Sequence, residues 1–391
     1  MRLLLFTGKG GVGVTSTAAA TAVHAARCGL TTLLLAADGA AAGDVLQVDL
    51  RSGPVEVVPG LTALGLVAGD QLTSIWPRIG DQVAAALGGL AVDQQAAQTL
   101  TALPGVAGLL DLLSLQEQVE ADRWDLIVVD CPGGPEMLQW LAAPQTLLRW
   151  LDQVLPVEHR VHRAIAIGTR GTDPEQGPPI DALAAGLDRL AAGLTRTRAL
   201  LTGPDCCVLL VSTGATTAVQ QARRAWAALS LHGLRVCAVL ANRVDQASAA
   251  GLAEIFPGLV LRPVPAAATE PLGTAALTAL GEATYGHPGL DPQWLHQLLD
   301  GPAELRIQVE PTAGAGAGPP GFVLSMPLPG VVRPELDLSR QGDDLIVAIG
   351  AQRRVIRLAS ALRRCQVTGA RLTDGRLQVG FEPDPTLWPA S

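Results

Sequence analysis

The chain has 391 residues, enough for two or three domains, and 48 % of them are apolar, which excludes an intrinsically disordered protein. A net charge of −8 argues against non-specific binding to nucleic acid, and no run of about 18 apolar residues suggests a membrane span. The six cysteines include no C-x-x-C pair, so a disulfide scaffold and the common zinc spacings are not expected, and a reducing cytoplasm is the expected compartment.

In chain order, residues 2–6 read as a short buried strand, followed by a glycine-rich turn over 7–16 and an alanine-rich helix over about 15–28 that Gly29 ends. Residues 31–36 read as the second strand, so the first 36 residues form a βαβ unit. The apolar runs at 126–130, 208–212 and 235–241 extend a doubly wound, mostly parallel α/β sheet, with helical insertions near 70–120 and 136–200. Met137, Leu138, Trp140, Leu141, Leu147, Leu148, Trp150, Leu151, Val154 and Leu155 give one helix a wide apolar face. That face serves either core packing or a groove for a helical partner. The α/β texture ends near Leu299, so residues 1–303 form the first domain and 304–391 the second. Residues 311–321, all small or proline apart from Thr312, form a linker or a long hairpin loop. Short alternating segments at 322–327, 335–339, 345–350, 355–358, 366–372 and 377–381 then read as a small all-β sandwich.

The glycine turn carries the chemistry. Gly8, Lys9, Gly10, Gly11, Val12, Gly13, Val14, Thr15 and Ser16 lie between a strand and a helix. There backbone N–H groups and the helix N-terminus cradle phosphate oxygens, and Thr15 is placed to reach a Mg²⁺ ion. The usual phosphate-loop lysine is missing, because its position holds Val14. Of the 28 basic residues only Lys9 is lysine, a compact point charge where every other basic residue is the wide arginine fork. Asp130 ends an apolar strand, where a carboxylate faces a ligand in such sheets. Asp38 and Asp44 either serve the nucleotide or cap and turn the helix that follows the second strand. His159 and His162 lack a third ligand and read as a solvated helix face, and Cys206 and Cys207 read as core or edge residues.

The run from Gly8 to Thr15 resembles the deviant Walker A motif K-G-G-V-G-K-[ST] of the SIMIBI-class ATPases, with Lys9 matching the early lysine. Within that class the chain is most similar to the ArsA type, which comprises arsenite-pump ATPases and the ATPases that target tail-anchored membrane proteins. Residues 38–44 resemble that family's switch I, Leu103-Pro104-Gly105 its P-G-x-x-E-x-L segment with Gly108 at the acid position, and 130–141 its switch II with Cys131, Glu136 and Gln139 at altered positions. Asn242 matches the adenine-contacting asparagine, and residues 263–273, with Pro265, resemble the loop over the base. Residues 322–331, 343–350 and 371–379 resemble an α-crystallin sandwich, a combination similar to a subgroup found in cyanobacteria and plastids.

The resemblance implies a homodimer that binds ATP or ADP with Mg²⁺ and no zinc, opening and closing around a hydrophobic client in a targeting or chaperone-like role. Thr15 and Asp130 would hold the metal, Asp38 would serve the nucleotide site, Asp44 would orient water, and Lys9 would reach the partner's nucleotide. Val14 implies hydrolysis that is weak or absent. The alternative is an inactive, nucleotide-stabilised scaffold whose β-sandwich recognises proteins.

Overall fold

The computed structural model describes residues 1–66, 106–154, 179–289, 293–299, 307–312 and 321–387. Much of both helical insertions, Leu103-Pro104-Gly105, His159, His162 and the Gly/Ala/Pro run at 313–320 lie outside the described residues.

The chain begins β1 (Arg2–Gly8), α1 (Val14–Arg27), β2 (Thr32–Ala36), α2 (Gly39–Leu46), β3 (Val55–Val58), β4 (Leu61–Gly65) and α3 (Val106–Glu120). It continues through β5 (Leu126–Asp130), α4 (Pro135–Val154), α5 (Pro179–Leu201), β6 (Cys206–Ser212), α6 (Thr216–Leu231) and β7 (Val236–Asn242). Helices α7 (Gln246–Ala253), α8 (Gly273–Tyr285) and α9 (Gln293–Leu299) and strand β8 (Val260–Val264) complete the α/β part. Its eight-stranded sheet has the order β3-β4-β2-β5-β1-β6-β7-β8. Strand β2 pairs parallel with β4 and β5, β7 pairs parallel with β6 and β8, and β3 alone is shown antiparallel, against β4. Strands β2, β5, β6 and β7 are buried along their whole lengths, as continuous apolar runs in a doubly covered parallel sheet must be. The expected doubly wound sheet is therefore present. The sequence reading did not mark β3, β4 and β8 as strands. Strand β8 contains Pro263 and lies at the sheet edge, where a missing N–H is tolerated.

The chain divides into two compact units, Met1–Leu4, Thr15–Cys206 and Pro271–Ala279 in one, and Leu5–Val14, Cys207–Glu270 and Leu280–Ser391 in the other. In the first unit α4 packs against α3 and α5. Met137, Leu138, Trp140, Leu141 and Leu151 are buried by that packing, so these residues of the apolar face serve the core rather than an open groove. Gly108 of α3 shows why an acid is absent there: a Cβ on it would lie 2.4 Å from the Trp140 ring.

The second unit holds the C-terminal strands. These are β9 (Gln308–Pro311), β10 (Phe322–Pro327), β11 (Leu336–Gln341), β12 (Asp344–Ile349), β13 (Gln352–Arg357), β14 (Cys365–Thr373) and β15 (Arg376–Pro383), with the short helix α10 (Ser360–Arg363). They form a four-stranded sheet, β14-β15-β10-β9, and a three-stranded one, β11-β12-β13. Strand β9 pairs antiparallel with β10, and Thr312 N–H donates to Gly321 O at 2.7 Å. Pro311 ends β9, and Gly321 immediately precedes β10. Leu324, Met326, Leu345, Val347, Leu377, Val379 and Phe381 form the sandwich core, and that cluster also takes in Ala227 and Leu231 of α6. Arg223 of α6 donates to Glu335 Oε1 at 2.7 Å and to Gly330 O, and Arg354 of β13 donates to Leu231 O at 2.6 Å. The two-sheet sandwich is the expected one, but it shares its core with a helix of the α/β part. Cys207 and Cys237, on adjacent strands with Cα atoms 6.0 Å apart, are joined by a disulfide that the sequence reading did not anticipate.

The α6 face makes this packing sensitive to acid. Burial first, and the Arg354 charge second, push the His232 imidazole at the end of α6 down to about 4. The Arg223 guanidinium beside Glu335 holds that carboxyl below its usual range. Both groups then bind fewer protons folded than unfolded, so stability falls as pH falls. For His232 the loss spans the window from its ordinary value of 6.5 down to about 4 and amounts to on the order of 3 kcal/mol. Urea unfolding at pH 7, 5 and 4 checks this. His232→Gln should flatten the pH dependence, and parallel curves for the two proteins would refute it.

Candidate phosphate-binding loop

In the second unit, β1 runs into the loop Gly8–Val14. Gly8 is required by a neighbouring strand, since a Cβ there would lie 2.4 Å from Val211 O. Gly13 has φ +90°, a backbone that favours glycine, and a Cβ on it would lie 2.4 Å from Asn242 Nδ2. Asn242 ends β7, is buried, and donates through Nδ2 to Val12 O at 2.7 Å. The asparagine singled out for a base contact is therefore also a latch on the loop. Gly10 and Gly11 are exposed and Val12 is buried. Lys9 Nζ is 3.4 Å from Thr217 Oγ1, at the start of α6. Pro265 is exposed just beyond β8. Arg243, which the sequence reading passed over, has its Nη2 4.0 Å from the place a Gly13 Cβ would take.

In the first unit, Thr15 and Ser16 are half-buried in the first turn of α1. The Thr15 hydroxyl hydrogen-bonds the Asp130 carboxylate, which is only 4 % exposed at the end of β5. Burial, and less strongly the charge of Asp38, push Asp130 up to about 7 against the opposing Thr15 bond. Asp38 is exposed and caps α2, accepting from Ala41 N at 3.0 Å. The capping role weighed for it is thus present. Asp44 is exposed on α2 and, with Gly43, Gln47, Asp49 and Arg51, lines an open cleft of about 530 Å³.

These residues suit the group that such a loop implies. A threonine hydroxyl bonded to a buried carboxylate is an all-oxygen donor set of the kind a hard divalent cation takes, and a cation there would stabilise the charged form that burial disfavours. The crowded glycines leave the loop backbone free of side chains on the sides where Val211 and Asn242 approach. Among the described residues there is no group of three or more His, Cys, Asp or Glu placed to hold a metal, and no helix is long and apolar enough to cross a membrane.

Comparison with known proteins identifies the family. The family model for anion-transporting ATPases, ArsA ATPase, matches residues 1–255, and the model for the HSP20-like domain found in ArsA matches 320–381. An uncharacterised protein of Streptomyces coelicolor is 37 % identical over 100 % of this chain and 99 % of its own length. A Mycobacterium tuberculosis protein is 32 % identical over 99 % of this chain and 97 % of its own. A Chlorobaculum tepidum protein that carries the name arsenical pump-driving ATPase is 26 % identical over 98 % of this chain and 96 % of its own. Such membership implies use of a nucleotide with Mg²⁺. With its glycine loop ahead of Thr15, the buried Asp130 and an HSP20-like sandwich, this chain belongs to the ArsA ATPase family.

Proposed function

We propose that the protein is a homodimeric, cytoplasmic ATP-binding switch with slow hydrolysis that opens and closes around a hydrophobic protein client. The observation that carries this reading is the Thr15 hydroxyl bonded to the buried Asp130 carboxylate, next in sequence to the glycine loop. In this reading the backbone N–H groups of residues 8–16 cradle the phosphates of ATP or ADP, and Thr15 and Asp130 hold Mg²⁺. Bound Mg²⁺ supplies charge neutralisation at the phosphates. Asp44, exposed on the cleft, orients the attacking water, and Asp38 remains at the nucleotide site while capping α2. Asn242 and Pro265 face the base. Lys9 leaves Thr217 to reach the partner's nucleotide, adding charge in trans. The chain has three methionines in all, so leucine and tryptophan would line any client surface, which favours a selective client over a promiscuous one.

Calorimetry and sedimentation velocity with Mg-ATP and Mg-ADP test the proposal together. Tight nucleotide binding with a dimer in at least one nucleotide state is the expected result. A monomer in every state would overturn the switch, and no binding would overturn the nucleotide site. The scaffold reading is favoured by one observation, the core shared between the sandwich and α6. Turnover that Asp44→Asn abolishes would reject it.

A further inference from the structure

We propose that the guanidinium of Arg243 contacts the bound nucleotide and returns to the phosphate loop, in cis, the positive charge that Val14 has removed. The inference deepens the nucleotide-binding reading and rests on it. Three observations converge on Arg243. Its guanidinium reaches Gly13, with Nη2 4.0 Å from the position of a Cβ on that glycine. Gly13 is the loop residue immediately before Val14, where the ordinary phosphate-loop lysine would stand.

The second observation is the backbone. Arg243 has φ 58°, and among the described residues the other non-glycine residues with positive φ are Gln47, Asp122 and Asp374. Aspartate adopts this left-handed region comparatively readily; an arginine there is uncommon. The conformation is held on both sides: Asn242 donates to Val12 O at 2.7 Å, and Arg243 N–H donates to Val264 O at 2.9 Å. The chain thus turns sharply at the end of β7 and directs residue 243 to the loop. Strained backbone kept in this way marks functional positions.

The third observation is that the side chain is available. Arg243 is exposed, and its guanidinium makes no hydrogen bond or ion pair among the described residues. Lys9, the only lysine in the chain, lies instead by Thr217. A planar fork of five donors suits phosphate oxygens and binds them through charge-assisted hydrogen bonds. Its reach from the Asn242 side differs from that of a lysine rising out of the helix start. It therefore serves binding more than transfer of the terminal phosphoryl group.

The test is calorimetry of Mg-ATP binding to wild type, Arg243→Gln, Arg243→Ala and the double variant Val14→Lys/Arg243→Ala, with melting temperatures to establish that each is folded. Removing the guanidinium should weaken Mg-ATP about 10–100-fold, the size of one charged hydrogen-bonding contact. The double variant should regain most of that affinity, because its lysine supplies the same charge from the other side of the loop. Unchanged affinity in the single variants overturns the proposal. A loss that Val14→Lys does not repair also overturns it, and would place the guanidinium against the base. A folded wild type that binds no nucleotide overturns the nucleotide site itself, a result distinct from either.

Discussion

Leu231→Ala should lower the unfolding free energy of the second unit by about 2–5 kcal/mol, the range for deleting a buried leucine side chain. Leu231 is fully buried at the last position of α6, in one cluster with Leu324, Met326, Val347, Val379 and Phe381 of the sandwich. Removing its isopropyl group leaves a cavity bounded by strands of two sheets and by the helix. Strand and helix cannot both close on that cavity without disturbing the Arg223 contacts to Glu335 and Gly330. The same helix connects β6 to β7, so the loss should reach the α/β sheet as well as the sandwich. Urea unfolding followed by tryptophan fluorescence measures it, since Trp226 lies in α6 with its ring 5.8 Å from that of Phe256. The expected record is one transition at a lower midpoint. Arg224→Ala, an exposed change on the same helix, should move the midpoint by no more than about 0.5 kcal/mol. Two separate transitions, with the fluorescence of α6 unaffected, would show instead that the sandwich folds independently of α6.

Val14→Lys should raise phosphate release by roughly 10²–10³-fold, by analogy with the loss of a single transition-state donor from a dry site. Val14 opens α1, and its Cγ2 lies 3.2 Å from where a Cβ on Gly8 would be. The position is half-buried, so a lysine stem can follow the loop and its ammonium would reach the phosphates of a nucleotide bound as proposed. Charge added there stabilises the developing negative charge of the transferring group more than the ground state, so the rate should rise more than the affinity. Single-turnover phosphate release on wild type and variant separates rate from binding, and a melting temperature near that of wild type establishes that the variant is folded. A folded Val14→Lys protein that binds ATP and releases no more phosphate than wild type would mean that the loop holds nucleotide without hydrolysing it. That outcome would favour the scaffold reading.

Much of the fold was legible because it is written in near neighbours. A short apolar, β-branched run such as Leu126–Val129 reads as a buried strand, and a glycine cluster between a strand and a helix reads as a tight turn. Alternation of apolar and polar residues between turn residues marked β10 to β15 within a few positions of their observed ends. The strands that escaped notice are short or interrupted. Strand β8 carries Pro263, and β9 stands beside the small-residue run with every residue exposed, so neither shows the pattern of a buried strand.

The candidate site divides in the same way. Its loop, Thr15 and Asp130 follow from local order along the chain, because backbone N–H groups, a helix start and a strand end need no distant partner to be recognised. What Asn242 and Arg243 do could not be read in that way. Their relation to Val12 and Gly13 spans about 230 positions and exists only once β7 is paired in its register. The disulfide between Cys207 and Cys237, the glycine that admits Trp140, and the core shared by α6 and the sandwich are of the same kind. By itself the sequence determined the α/β sheet, its glycine-rich loop and the appended β-sandwich, since periodicity and turn chemistry act between neighbours. Only the tertiary structure decided which side chains latch that loop and which helix the sandwich packs on. Those depend on strand register and on the volumes that packing brings together across the chain.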